Sequence, residues 1–399
     1  MTKEAKPYGM SRRSFLHKSA YLLGGASACV WLSTQPVSAS VLSKTTTKGS
    51  PSSKKLVWVF LRGAMDSLHA VIPRNDPHLH SLRPHLLESV NTSALPLNKR
   101  FSLHPDLHHM HDLYKRKQMS AIIAVASGYR ARSHFEAQDQ MESGLNATDH
   151  DNGWLARALR QHQSSGVALA RSVPIAMRGS NSQVETWYPS AFPEASDDLL
   201  SQLSDLYQSD ASLGSTLTKV ITQKSAPSMQ MKETRRPNFT YLTQRCGELL
   251  SNDNASCAML ELNGWDTHNN QSGRLSRLFQ QLDDGLANLQ SSLGEKWKDT
   301  LIIVSTEFGR TVAANGTLGT DHGTASNMFV LGGALSGSKG LLKGGKVLGK
   351  WPGLAPDQLY QGRDLMPTSD VRHWIAGGLS SHWGLSAAQI RGVFPDLYA

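Results

Sequence analysis

Carboxylates and imidazoles recur where apolar runs of this chain end. Asp66 follows "KLVWVFLRG" (Lys55 to Gly63). Asp266 and His268, in "WDTHNNQ", follow "CAMLELNG" (Cys257 to Gly264), and Glu307 comes directly after Thr300 to Thr306, within "IIVSTEFGRT". Asp321 and His322, in "TDHG", precede "NMFVLGG" (Asn327 to Gly333). Carboxylates brought close together repel unless a cation lies between them, and Asp with His is a donor set that suits a divalent ion. Asp266 and His268 stand two apart, so extended backbone projects both to one side. Singly, each has an ordinary explanation: an Asp after a strand caps a helix, and a lone His satisfies a polar neighbour. Four strand ends each carrying such a residue make a shared metal or anion site the better account of the set.

The elements that would hold these residues alternate. Lys55 to Gly63 reads as a buried strand. "HPDLHHMHDLYKRKQ" (His104 to Gln118) puts Leu107, Met110, Leu113 and Tyr114 on one helical face, and its histidines, His104, His108, His109 and His111, read as a solvated polar face. "SAIIAVAS" (Ser120 to Ser127) is a second strand, and "VPIAMRG" (Val173 to Gly179) a third candidate. "RSHFEAQDQMESG" (Arg132 to Gly144) has Ser133 with Glu136 three residues on, a capping box, and closes at Gly144. Asn181 to Asn254 is polar and reads as a helical insertion or cap. Cys257 to Gly264, a helix over Ser272 to Leu293, the strand ending at Thr306, Asn327 to Gly333 and a last helix over Ser369 to Gly384 complete the order. The expectation is an α/β fold, a mostly parallel central sheet with helices on both faces, whose ligands gather at the carboxyl ends of the strands.

With 399 residues, 39% of them hydrophobic, the chain can fill a sizeable core. The formal charge is +9, of which residues 1–39 supply four (Lys3, Lys6, Arg12, Arg13 and Lys18 against Glu4), leaving +5 for the remainder. That surplus suits anionic ligands or envelope surfaces, and no basic block is interleaved with aromatics, which argues against nucleic acid. "SRRSFL" (Ser11 to Leu16), an apolar stretch to Leu32 and "VSA" ending at Ala39 resemble a twin-arginine signal cleaved after Ala39. The apolar stretch is too short to span a bilayer, so no stable transmembrane segment is expected after cleavage. Residues 40–54 read as a flexible tether and 55–399 as the folded domain. The expected location is the periplasm or cell envelope, with the twin-arginine export machinery as a partner. Cys246 and Cys257 would meet an oxidising compartment, where the sequence leaves their pairing open.

Taken together, "FLRGAMDSLHAVIP", "RSHFEAQDQMESG", "GWLARAL", "DTHNNQ", "TEFGRT", "TDHGTASNMFVLGG", "WPGL" and the twin-arginine leader resemble a bacterial family of exported proteins of unknown function. That family is similar to the alkaline phosphatase and sulfatase superfamily. The resemblance implies an alkaline-phosphatase-like fold, with Asp66, Asp266, His268, Glu307 and His322 as metal ligands and Ser133 as the hydroxyl nucleophile at a helix start. It also implies a divalent metal, with zinc, calcium, magnesium and manganese all open. Phe308 departs from the pattern, because the superfamily usually has a histidine ligand directly after the Glu307 position. Three outcomes stand open: a weak second site, a neighbour such as His69 or His134 taking over, or the loss of one metal.

The chemistry of such a site is in-line displacement at phosphorus or sulfur, with cations absorbing charge on the oxygens. Arg132 and Arg310 could clamp the non-bridging oxygens. The formylglycine pattern, Cys or Ser followed by x-Pro-x-Arg, is missing after Ser133, which argues against a formylglycine sulfatase. The expectation is an exported metal-dependent hydrolase-like protein acting on a small anionic ester or an envelope polymer. The alternative is a non-catalytic envelope or binding protein that keeps the fold with a degenerate metal site.

Overall fold

The structure is a computed structural model, and it describes residues 54–397 apart from 89, 91, 181–182, most of 190–237, 254 and 339. The leader (1–39), most of the tether (40–54) and most of the polar insertion (181–254) lie outside the described residues.

Twelve strands are present among the described residues. They are β1 (Lys55–Arg62), β2 (Val71–Pro73), β3 (Leu95–Pro96), β4 (Phe101–Leu103), β5 (Met119–Ala126), β6 (Ser165–Ala168), β7 (Gln183–Thr186), β8 (Cys257–Asn263), β9 (Thr300–Thr306), β10 (Ser326–Leu331), β11 (Val347–Leu348) and β12 (Ser369–Asp370). Nine form one sheet in the order β11-β5-β10-β9-β1-β8-β6-β7, with β12 also on β5. Within it β10 alone runs antiparallel to its neighbours β5 and β9, and every other pairing is parallel. β2, β4 and β3 make a small antiparallel sheet of their own.

The central strand β1 shows why the sheet sits between layers. Val57, Val59 and Leu61 pack into one core while Leu56, Trp58 and Phe60 pack into another, so the period-two alternation of a strand serves two apolar faces. The first face is covered by α1 (His108–Lys115), α4 (Phe239–Ser251) and α5 (Gln271–Leu293), which bring Met110, Leu242 and Phe279. The second is covered by α3 (Trp154–His162), α6 (Val371–Trp383) and α7 (Ala387–Val393), which bring Trp154, Ile375 and Ile390. The mostly parallel sheet with helices on both faces is the architecture expected from the alternation of elements. No helix of the described residues is long and apolar enough to cross a membrane.

Three local expectations are corrected. Val173–Gly179 is not a strand: Ile175–Met177 form one 3-10 turn, Ala176 N–H is held by Glu142, and the sheet position goes to Ser165–Ala168. The helix around the histidine run is shorter, and His104 and His111 are buried; His111 Nε2 lies 2.8 Å from the Pro96 carbonyl. The capping box at Ser133 does not form, because the Glu136 carboxylate accepts from the Tyr129 hydroxyl instead, at 2.5 Å. Cys246 and Cys257 are both buried and unpaired.

Candidate metal centre

The carboxyl ends of β1, β8 and β9 meet one irregular ribbon. Past β9 the chain runs antiparallel to the segment that leads into β10: Thr311 N–H bonds the Asp321 carbonyl, Gly323 N–H the Gly309 carbonyl and Gly309 N–H the Thr324 carbonyl. Gly309 is required for this approach, since a Cβ there would stand 1.8 Å from the Ala325 carbonyl oxygen. The ribbon sets Arg310 opposite His322. Past β8, Trp265 and Thr267 are buried while Asp266 and His268 face outward, which is the two-residue alternation read in the sequence. Gly63, at φ 117°, ends β1 where a Cβ would meet Asp266 N at 2.5 Å, so the two strand ends can lie against each other. The fourth contribution comes from α2 (His134–Ser143), which starts after Arg132 in the left-handed region (φ 63°) and stops at Gly144, also left-handed.

These elements bring His134, Asp266, His268 and His322 together. His134 Nε2 lies 3.0 Å from His322 Nε2 and 3.5 Å from Asp266 Oδ1, and His322 Nε2 lies 3.3 Å from the same oxygen. His268 Nε2 is 3.0 Å from His322 Nε2 and 3.0 Å from Asp266 Oδ1. With metal–ligand bonds of about 2.0–2.1 Å, the edge of a coordination tetrahedron is about 3.4 Å, so the spacing of His134, Asp266 and His322 is that of ligands around a single small ion. Among the described residues, His134, Asp266 and His322 form the group that could hold a metal ion, with donor atoms all within 4.8 Å of one another, and His268 lies beside it.

The outer nitrogens say how the rings are oriented. His134 Nδ1 meets Glu307 at 2.8 Å, His322 Nδ1 meets the Arg132 carbonyl at 2.9 Å, and His268 Nδ1 meets Asp321 at 3.1 Å. All three partners only accept, so all three Nδ1 atoms donate and the Nε2 atoms turn inward. Lone pairs and a carboxylate at these distances need a cation or shared protons between them. The donor set within reach of one ion, two imidazoles and one carboxylate, therefore fits a divalent ion. The protonation directions of the two rings are opposite. Burial opposes a proton on His134, but Glu307 and Asp266 outweigh it and raise its pKa, whereas burial lowers that of His322. Asp266 is held low against partial burial by Arg310, His268 and His134.

The remaining expected site residues are placed differently. Asp66 is not in the cluster: both its oxygens are taken by Arg83 Nη1 at 3.1 and 2.9 Å, Leu68 N–H caps onto it, and Gln271 donates at 2.6 Å. Asp66 and Arg83 are fully buried, so the guanidinium already supplies the positive charge that an ion would. Glu307 does not point an oxygen at the cluster either. Gly63 N–H, Gln138 and His134 occupy its Oε1 and Thr306 its Oε2, so it orients His134 rather than binding an ion. Arg310 is buried and donates to Asp266 Oδ1 at 2.6 Å and to the Thr320 side chain and carbonyl, which makes it a support for Asp266 and not a free clamp. The Arg132 guanidinium is engaged by Asp364 and Gln361. Ser133 is the residue before His134 and makes no cap hydrogen bond through its side chain.

His134 is the member of the cluster that strand-end reading alone did not select, because it opens a helix; the departure at Phe308 was the signal that pointed to it. Phe308 is buried and stacks on His134, ring centroids 4.9 Å apart at 26°, with His322 at 5.4 Å. It walls the rings of His134 and His322. Arg83 and Asp364 had no sequence signal.

A family model described as "Protein of unknown function (DUF1501)" matches residues 126–394. The chain belongs to this family. No curated protein matches this DUF1501 chain. Solved structures similar to it include BT1596, a 2-O GAG sulfatase, at 9% identity and TM-score 0.40, covering 84% of this chain and 72% of that one. Another is the alkaline phosphatase from the Antarctic bacterium TAB5, at 12% identity and TM-score 0.34, covering 70% of this chain and 91% of that one.

Proposed function

We propose that this DUF1501 protein is an exported, metal-dependent hydrolase-like protein that acts on a phosphate or related anionic ester. The observation that carries the reading is the convergence of His134, Asp266, His268 and His322, each imidazole turned inward by an acceptor on its outer nitrogen. Two nitrogens with one oxygen favour zinc or another transition ion over calcium or magnesium, which prefer all-oxygen shells. When bound, the ion would supply Lewis-acid polarisation of an ester oxygen.

The chain's own residues do the rest. Ser133 stands at the start of α2, where free backbone N–H groups and the helix dipole favour an anion, and its hydroxyl is the proposed nucleophile for in-line attack, displacing the ester alcohol. Glu307 and the Arg132 carbonyl hold the two inner rings, and Arg310 fixes Asp266 while keeping positive charge at the site. The leader reading belongs to the same proposal: export through the twin-arginine pathway to the periplasm or envelope, and a small anionic ester or envelope polymer as substrate.

One observation favours a second reading. Phe308 stands at a position where the superfamily pattern calls for a ligand and offers no donor atom, as in a degenerate site kept for binding. Elemental analysis of the mature protein, together with hydrolysis of an aryl phosphate, separates the two. Bound transition metal, with turnover that disappears in Ser133→Ala and Asp266→Ala, is the expected result. Negligible metal and no turnover would leave the non-catalytic reading.

A further inference from the structure

We propose that the cavity beside Trp351 is a carbohydrate subsite, which holds a sugar ring of the substrate while the ester lies at the metal centre. That role rests on the hydrolase reading above and narrows its substrate to an ester carried on a glycan. The motif "WPGL" (Trp351 to Leu354) takes no part in the metal centre. Its first three residues line this cavity instead, which measures about 400 Å³ and so falls within the range of about 300–1,000 Å³ usual for small-molecule sites.

The walls are held in place. Trp351 is half-buried: its indole N–H donates to Asp76 Oδ2 at 3.1 Å, and its ring meets Phe101 edge to face, centroids 5.6 Å apart at 78°. Those two contacts fix the ring in one orientation. Phe101 pairs with Pro73 across the small sheet and carries the Arg100 guanidinium over its ring, 5.6 Å from the centroid. Gly353, at φ 93°, admits the Gln358 side chain, whose oxygen a Cβ would meet at 1.9 Å. That oxygen accepts from Ala355 N–H at 3.1 Å, and Leu354 and Leu359 are buried on either side and pin the segment.

The lining selects the class of ligand. Fixed aromatic rings offer apolar surface, and a carboxylate, an amide and a guanidinium stand around them. Each Asp76 oxygen accepts one hydrogen bond, from His78 N–H or from Trp351, and keeps a lone pair for another donor. Arg100 and the exposed Gln358 amide supply donors. Asp76 and Arg100 oppose each other in charge, so the cavity does not call for an anion as the metal centre does. A sugar ring matches the set, because its C–H face lies on an aromatic ring while its hydroxyls both donate and accept. Past Gln358 the same segment continues to Gln361 and Asp364, which hold Arg132 beside Ser133. A glycan seated at Trp351 would extend along that segment towards the ester.

The test titrates N-acetylchitotetraose and maltotetraose into the mature protein by calorimetry. Wild type is expected to bind at least one of them with Kd of about 1 mM or below, and Trp351→Ala to weaken that binding about tenfold. The exposed Gln358→Ala, with an expected loss of about threefold, keeps the test open should Trp351→Ala fail to fold. The proposal is overturned if neither sugar binds wild type at about 10 mM, or if every variant that folds binds as wild type does. The hydrolase reading fails separately: sugar bound at Trp351 by protein that holds no metal and turns over no ester would support the sugar site and overturn that reading.

Discussion

Asp66 and Asp266 follow neighbouring parallel strands, β1 and β8, yet the two carboxylates have opposite fates. Asp66 is buried against Arg83, with a helix cap and Gln271 completing its shell. Asp266 is 43% exposed and shares one oxygen among three imidazoles and Arg310. The two are joined, because Gln271 donates to Asp66 and accepts from Thr320, which in turn bonds Arg310. Each carboxylate has a buried guanidinium beside it, so the difference teaches that a carboxylate at a strand end becomes scaffold when it is itself buried with both oxygens taken, and stays available to a ligand when it remains half exposed.

The comparison breaks most sharply at Arg83. Arg83→Met leaves Asp66 buried without its cation and should cost about 3–5 kcal/mol in urea unfolding, with Asp66→Leu added on top recovering part of it. A loss below about 1 kcal/mol would mean that the pair is not the scaffold described here.

Acid should attack the same scaffold region. His69 is fully buried with neither ring nitrogen hydrogen-bonded among the described residues, and burial, with Arg83 adding, holds its pKa down to about 4 against the pull of Asp66. An unfolded histidine takes up its proton near pH 6.5, so below that value the unfolded chain binds a proton that the folded one refuses. Stability should fall as pH drops from about 6.5 to 4, by on the order of 3 kcal/mol at the lower end, and His69→Leu should flatten that part of the curve.

Glu307→Gln tests the boundary between the two regions. It keeps the shape but weakens the hold on His134, so metal affinity should fall about 10- to 100-fold in a chelator competition, with little loss of fold. An unchanged affinity would remove Glu307 from its orienting role. The smallest structural effect is expected at Ser133→Ala, within about 0.5 kcal/mol of wild type by thermal unfolding, because no cap bond is lost while ester turnover disappears. A loss of 1 kcal/mol or more would return Ser133 to a capping role.

Much of the frame was legible along the chain. β1, β5, β8 and β9 lie within a residue or so of their expected bounds, since a strand buried on both faces announces itself as a local apolar run. The reversed direction of β10 was not legible, because an antiparallel strand buried on both faces reads like a parallel one. Val173–Gly179 has the same apolar look as a strand, but Glu142, which accepts from Ala176 N–H, and Gly153 N–H, which donates to the Arg178 carbonyl, hold it in a turn.

By itself the sequence determined the alternating layers and the supply of donors at strand ends, because both follow from short-range periodicity and residue type. Which donor would face an ion was decided only by the tertiary structure. Arg83 reaches Asp66 across 17 residues, Glu307 reaches His134 across 173, and Gln271 reaches Asp66 across 205. A carboxylate's role depends on the charge and hydrogen bonds that surround it, and those partners are brought by folding from parts of the chain that no local pattern connects.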